Sequence, residues 1–190
     1  MGRGVIAHFD ADNYGRHIWF SRMGEGSLGG KARGLAFLNS LVDKHKLALK
    51  YPGVRISIPR TVVIATDYFD QFILENDLQY VIDSEISDEE ILSEFVAARL
   101  PEKLVEQLRV YVSQARSPFA VRSSSKLEDS SYQPFAGVYS TYMVPLVENK
   151  DQMLRMLGKA IKSVYASVFY AGSRTYIQTT ANLLSEEKMA

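Results

Sequence analysis

The sequence predicts an α+β fold, close to α/β, in which a mixed β-sheet is flanked by helices. At 190 residues, with 46% hydrophobic and 11% aromatic residues, the chain can bury the core of one ordinary domain. Short runs of β-branched and aromatic residues have the length and composition of strands. These runs alternate with longer segments whose apolar residues recur at steps of three and four, which is typical of amphipathic helices. Such an alternation indicates a layered α+β domain.

The N-terminal part predicts two strands, a glycine-rich loop and a helix. Residues 5–9 and 18–21 are apolar, and the Asp-, Asn- and Gly-rich run between them has the composition of a turn, so we expect a hairpin. A glycine-dense loop follows and ends in Lys31. From Lys31 to Leu49 the apolar positions alternate steps of three and four, which predicts a helix of about five turns that ends before Tyr51.

The central part predicts a buried strand and three helices. Residues 61–65 are mostly β-branched and too few for a helix. Each helix that follows begins with a recognised start signal. The signals are Thr66 or Asp67 for the first helix, Ser87 with Glu90 in a capping box for the second, and Pro101 for the third. The last part of the chain predicts strands at 118–122 and 138–144 and then the clearest helix, from about 150 to 170.

Composition excludes several classes of function. The 22 basic and 22 acidic residues cancel, so no global positive field draws the chain to nucleic acid or to an anionic membrane. No run approaches the ~18 apolar residues of a spanning helix, and Asp10 stands where a signal peptide would stay apolar. The absence of cysteine excludes thiolate chemistry and fits a reducing compartment. We therefore expect a cytoplasmic protein without nucleic-acid or membrane partners.

The glycine loop is the first candidate site. Glycines let the backbone approach a phosphate, a helix N-terminus adds partial positive charge, and Lys31 would add a full charge. Residues 24–29 match G-x-G-x-x-G, but Lys50 stands near the place where a dinucleotide fold needs an acid. A Walker A loop fails as well, because Glu25 and Ala32 replace its glycine and its hydroxyl residue. The alternative is a plain connection in which Lys31 merely begins a helix.

The end of the strand 118–122 is the second candidate site. The planar donor fork of Arg122 matches a phosphate bidentately, and the serines at 123–125 can donate to further oxygens. Glu128 and Asp129 could pair with Arg122, position a metal-bound water or cap the next turn. The alternative is a surface ion pair followed by a serine loop.

Together and in this order, the two segments resemble the N-terminal nucleotide-binding domain of the pyruvate, phosphate dikinase and phosphoenolpyruvate synthase family, a relative of the ATP-grasp domains. The likeness extends over roughly residues 20–180. The residues that carry it are 28–31, 34–35, 58–59, 62–66, Phe72, 120–124, 128–129, 135–137, 165–167 and 174–176.

The resemblance implies specific site residues. Lys31 and Arg122 would hold the phosphates of ATP and so act in catalysis. The implied nucleotide-binding residues are Gly29, Gly30, Lys31, Arg122, Ser123, Ser124, Asp129 and Gly137. In the family, the acids that bind Mg²⁺ lie after the equivalent of Ala190, so no residue of this chain is expected to be a metal ligand.

The resemblance also implies a domain organisation and an activity. Residues 1–22 would form the hairpin, and residues 23–190 the N-terminal lobe of a dikinase-type ATP-binding domain. The second lobe and a phosphohistidine domain would belong to the same polypeptide beyond this chain. The complete protein would be a kinase that phosphorylates a histidine and then a small acceptor such as pyruvate, whereas this chain alone would be inactive.

One departure from the family pattern supports an alternative. Val138 stands where many members have a glutamine, which puts a nucleotide contact in doubt. None of the three histidines, His8, His17 and His45, lies in the motif of a phosphate acceptor. The alternative is a non-catalytic module that keeps the fold for nucleotide sensing or docking.

Overall fold

A computed structural model describes residues 6–12, 18–54, 56–125, 139–179 and 188–190. Within these residues, strands and helices combine as the α+β prediction requires, and the predicted class is confirmed. The elements are β1 (Ala7–His8), β2 (Phe20–Met23), α1 (Gly29–Lys44), α2 (Leu47–Lys50), β3 (Thr61–Ile64), α3 (Thr66–Glu75), α4 (Gln79–Asp83), α5 (Asp88–Ala97), α6 (Glu102–Ser113), β4 (Phe119–Arg122), β5 (Thr141–Val144), α7 (Lys150–Ser167) and α8 (Ala171–Thr179). No helix in these residues is both long and apolar enough to span a membrane.

The first sheet is parallel, so the predicted N-terminal hairpin is wrong. Its strand order is β1-β2-β3, with Ala7 opposite Ser21 and Ser21 opposite Val62. Turn-forming residues between two strands predict a change in chain direction. They do not determine whether the second strand pairs parallel or antiparallel to the first. Residues 9–19 separate the two strands in the sequence, far more than the two residues of a tight hairpin turn.

The helix after the glycine loop begins two residues earlier than the pattern predicts, and it also ends earlier. It begins at Gly29 rather than at Lys31 and ends at Lys44. Lys46 then adopts the left-handed conformation, with φ of 50°, and separates α1 from the short α2. The predicted five-turn helix is therefore two helices.

The second sheet and the later helices form the main core. β4 and β5 pair antiparallel, and α7 packs against β4, β5, α5 and α6. Aromatic rings from α3, α5 and α7 and from the turn after α7 meet at the centre. These rings belong to Phe69, Phe72, Phe95, Tyr165 and Phe169. Met23 of the first sheet and Val144 of the second belong to this same core.

Most of the predicted helix starts are confirmed. Ser87 and Glu90 form the capping box of α5, with the Glu90 amide donating to the Ser87 hydroxyl at 3.2 Å. Pro101 immediately precedes α6. Thr66 and Asp67 lie in the first turn of α3, although the cap position itself is Ala65. The long C-terminal helix ends at Ser167, before the predicted end at 170, and α8 follows.

Candidate functional site

Arg122 lies on the open face of the antiparallel sheet. Side chains alternate along β4, so Phe119 and Val121 are half-buried whereas Ala120 and Arg122 are exposed. Arg122 is opposite Thr141 on β5. Among the residues that the structure describes, no carboxylate forms an ion pair with Arg122. The guanidinium can therefore meet an anion from solvent without breaking a contact with these residues.

Lys31 lies beside the residue that follows Arg122. Its ammonium donates to the Ser123 hydroxyl at 3.2 Å, across a separation of 92 residues in the sequence. Lys31 is the third residue of α1 and is half-buried. The fold thus brings together the two segments that the sequence suggested separately.

The start of α1 is attached to the serine run by direct contacts. The Ser124 hydroxyl accepts from the Ala32 amide at 3.0 Å and donates to the Leu28 carbonyl at 2.8 Å. The Gly30 amide donates to the Ser125 carbonyl at 2.9 Å. Since a hydroxyl has one proton, the Ser124 proton serves Leu28 and is not available to a phosphate in this arrangement.

Gly29 is required by this attachment. It has a positive φ of 66°, and a Cβ there would lie 1.6 Å from the Ser124 carbonyl oxygen. The sequence predicted that Gly29 and Gly30 would cradle a phosphate. In the structure their immediate role is the close approach of α1 to the serines, and their contact with a nucleotide stays a prediction.

The earlier glycines of the loop make room for the start of α3. Cβ atoms on Gly24 and Gly26 would each lie 2.5 Å from an Asp67 atom, the carboxylate Oδ1 and the amide nitrogen respectively. Asp67 accepts from the Glu25 amide at 2.9 Å and from the Gly26 amide at 3.0 Å. These glycines therefore permit contact with Asp67.

Sequence reasoning treated Asp67 only as a possible helix cap. The strand order of the sheet would have indicated the role of Asp67. Because β2 and β3 are neighbouring parallel strands, the segments after their carboxyl ends meet at one edge of the sheet. The sequence alone did not reveal that β2 and β3 are neighbours. Partial burial raises the pKa of Asp67, but hydrogen bonds from the Glu25, Gly26, Asp67 and Tyr68 amides outweigh this and leave the pKa lowered.

Lys31 and Arg122 line one large cleft, with a volume of about 1450 Å³. Its cationic lining residues are Lys31, Arg60, Arg116, Arg122 and Lys150, and no Asp or Glu side chain is among the described residues that line it. Apolar side chains, including Leu35, Val63 and Met143, form much of the remaining surface. In a chain with zero net charge, this cleft is a local positive site beside an apolar wall.

Two of the predicted site residues, Asp129 and Gly137, lie outside the described residues, as do Glu128 and Val138. Within the described part of the chain, no three His, Asp or Glu residues are grouped closely enough to hold a metal ion.

Comparison with protein families gives a match that covers most of the chain. The family described as "Pyruvate phosphate dikinase, AMP/ATP-binding domain" matches residues 25–190. This range includes the glycine loop from Glu25 onward, both candidate cations and the serine run. Comparisons with curated proteins and with solved structures found no match.

Proposed function

Because the chain belongs to the family of pyruvate phosphate dikinase AMP/ATP-binding domains, we propose that it is the first lobe of an ATP-grasp-type domain in which Lys31 and Arg122 hold the phosphates of ATP. The observation that carries this proposal is the shared cleft. Lys31 and Arg122 both line it, and its described lining residues include three further cations and no carboxylate side chain.

The donor set fits a polyphosphate chain. Arg122 offers a planar fork of N–H donors, and Lys31 offers a compact charge that already approaches the Ser123 hydroxyl. Phosphoryl transfer depends mostly on positioning and on neutralising charge, so two cations on rigid elements are the expected contribution of a protein lobe. Bound Mg²⁺ would neutralise further negative charge on the phosphates, and we place the residues that hold this ion outside the present chain.

The first turn of α1 contributes by placement rather than by direct donation. The amides of Gly30 and Ala32 donate to the Ser125 carbonyl and to the Ser124 hydroxyl. We therefore assign phosphate contact mainly to the side chains of Lys31, Arg122 and Ser123. Ser124 would keep Lys31 close to Arg122 without itself donating to the ligand.

In the complete protein, we propose, a phosphoryl group from ATP passes to a histidine on a separate domain and then to a small acceptor such as pyruvate. The present chain would supply one half of the nucleotide grip. With that half alone, ATP should bind with a dissociation constant of about 1 mM or weaker, equivalent to about 4 kcal/mol, and should not turn over.

NMR titration of the 190-residue chain with ATP tests the assignment, because it detects binding in this range. Lys31→Ala and Arg122→Ala should each weaken binding by about 5–30-fold, since a hydrogen bond to a charged group contributes about 1–2 kcal/mol at a partly exposed site. Arg33→Ala is a matched control on the same helix, because Arg33 is exposed and does not line the cleft. Arg109→Ala is the second control, since Arg109 forms an exposed ion pair with Asp151 and does not line the cleft.

Equal ATP affinity in the two test variants and the two controls would refute the phosphate assignment. The alternative of a non-catalytic sensing module is supported by Val138, which replaces the glutamine of many relatives. An extended chain that includes the proposed second lobe and histidine domain separates the two functions. Histidine phosphorylation that is lost with Lys31→Ala supports the kinase, whereas tight ATP binding without phosphorylation supports the sensor.

A further inference from the structure

The glycine loop, residues 24–28 before α1, is held from two sides by side chains that do not line the cleft. We propose that Arg22 and Asp67 are positioning residues, which fix this loop and thereby the place from which Lys31 meets a phosphate. The inference rests on the proposed function, because it concerns how the same site is prepared for its ligand.

Arg22 holds the carbonyl groups of the loop. It is the third residue of β2, two residues before Gly24, and only 18% of its side chain is exposed. Its Nε donates to the Gly24 carbonyl at 2.8 Å, and its Nη2 donates to the Gly26 carbonyl at 3.0 Å. The planar guanidinium spans both carbonyls, whereas the single nitrogen of a lysine would not reproduce this fork.

Asp67 holds the amides of the same loop. Its Oδ2 accepts from the Glu25 amide and its Oδ1 from the Gly26 amide, at 2.9 and 3.0 Å. Successive amides that point to one place form an anion-binding concavity, and here a carboxylate of the protein occupies it. The position of Asp67 in the first turn of α3 also favours its negative charge.

Arg22 and Asp67 thus form a clamp around the glycine loop. Further hydrogen bonds connect this clamp to the start of α1. The Thr66 amide donates to the Ser27 carbonyl at 3.0 Å, and the Thr66 hydroxyl accepts from the Ser27 amide at 2.9 Å. The Ser27 hydroxyl in turn accepts from the Gly29 amide at 3.3 Å. Lys31 follows two residues later, so an ordered loop fixes the helix start that carries the cation.

Ordering matters here because a glycine-rich segment has many accessible conformations. The apparent affinity for a ligand falls in proportion to the fraction of molecules in the competent conformation. Loss of either half of the clamp should lower that fraction without removing Lys31 or Arg122. The affinity for polyphosphate should then fall about 3–10-fold. This factor corresponds to the net free energy of about one hydrogen bond, which would no longer stabilise the competent conformation.

The variants Arg22→Lys and Asp67→Asn of the 190-residue chain test the inference. Each is titrated with inorganic tripolyphosphate and followed by NMR. Both variants should weaken tripolyphosphate binding, and both should lower the backbone order parameters of residues 24–30. Arg109→Lys and Asp151→Asn are the matched controls. These two residues form an exposed ion pair at 2.8 Å, and Asp151, like Asp67, is the second residue of its helix.

The Arg22→Lys variant separates positioning from charge. It keeps the positive charge beside Glu25, so a purely electrostatic role predicts unchanged affinity and an unchanged loop. Unchanged order parameters and unchanged tripolyphosphate affinity in Arg22→Lys and Asp67→Asn would overturn the inference. If Lys31→Ala and Arg122→Ala still weaken binding in that case, the proposed function stands and only the clamp is wrong.

The wild-type chain provides a test that requires no variant to fold. The amide proton shift of Gly26 should follow an ionisation whose pKa lies below the ordinary range of an aspartate, whereas the Glu25 amide also senses the carboxyl group of its own side chain. The order parameters of residues 24–30 should fall as that group is protonated. A loop that stays equally ordered through the titration would contradict a clamp by Asp67.

Discussion

Gly29→Ala is the substitution whose effect the structure predicts most directly. The new Cβ would lie 1.6 Å from the Ser124 carbonyl oxygen, a backbone atom that cannot rotate away. The residue would also have to keep a positive φ of 66°, which costs an alanine about 1–2 kcal/mol. The start of α1 must therefore move away from the serine run.

The expected loss follows from the contacts that such a shift breaks. They are the hydrogen bonds from the Gly30 amide to Ser125 and from the Ala32 amide to Ser124, each worth about 0.5–1.5 kcal/mol. With the backbone strain, Gly29→Ala should lower the free energy of unfolding by about 2–5 kcal/mol. A mid-range loss of ~3 kcal/mol corresponds to a decrease in Tm of about 6–12 °C for a chain of this size.

Urea unfolding followed by circular dichroism measures this change, and Gly34→Ala is its control. Gly34 lies on the same helix, and among the described residues outside its own stretch of helix backbone no atom would lie within 4 Å of a Cβ at this position. Alanine at Gly34 should therefore stabilise the chain by about 0.5–1 kcal/mol through its helix propensity. The reasoning is refuted if Gly29→Ala changes stability by less than about 0.5 kcal/mol, or if both variants destabilise equally.

Three further predictions concern stability. The pKa of Asp67 is lowered in the folded chain, so its stabilising effect is present above the unfolded pKa near 3.8 and is lost as pH falls through the folded pKa. Urea unfolding should thus show a gap between wild type and Asp67→Asn that shrinks below about pH 4, and a gap independent of pH would contradict this. Ser87→Ala removes the capping box of α5 and should cost about 1 kcal/mol in urea unfolding, against no measurable cost for Ser117→Ala on the exposed surface. Phe72→Ala empties a fully buried site and should cost about 3–5 kcal/mol by the same measurement, whereas a cost below 1 kcal/mol would show that the site is not packed as described.

Features encoded within a few residues were predictable. Ser87 and Glu90 form a capping box because the two residues satisfy each other's backbone within one turn. Residues 61–65 were predicted as a strand by β-branched composition, and β3 spans Thr61–Ile64. The break at Lys46 was not predictable, because the three-four pattern continues through it to Leu49.

The candidate site was predictable only in part. The glycine loop and Arg122 could be selected because each segment carries a recognisable motif. Asp67 could not, since its importance depends on β3 lying beside β2. The close approach of Asp67 and Ser124 atoms to the glycines could not be predicted for the same reason, and the contact of the glycines with a phosphate stays a prediction.

By itself, the sequence determined the α+β class, most helix starts and the family, because each depends on local patterns or on motifs in a fixed order. Tertiary structure alone decided the parallel direction of β1 and the contact between Lys31 and Ser123 across 92 residues. It also decided that Asp67 accepts hydrogen bonds from the amides of the glycine loop. Such contacts join segments distant in sequence, and their geometry depends on how the whole core packs rather than on any local pattern.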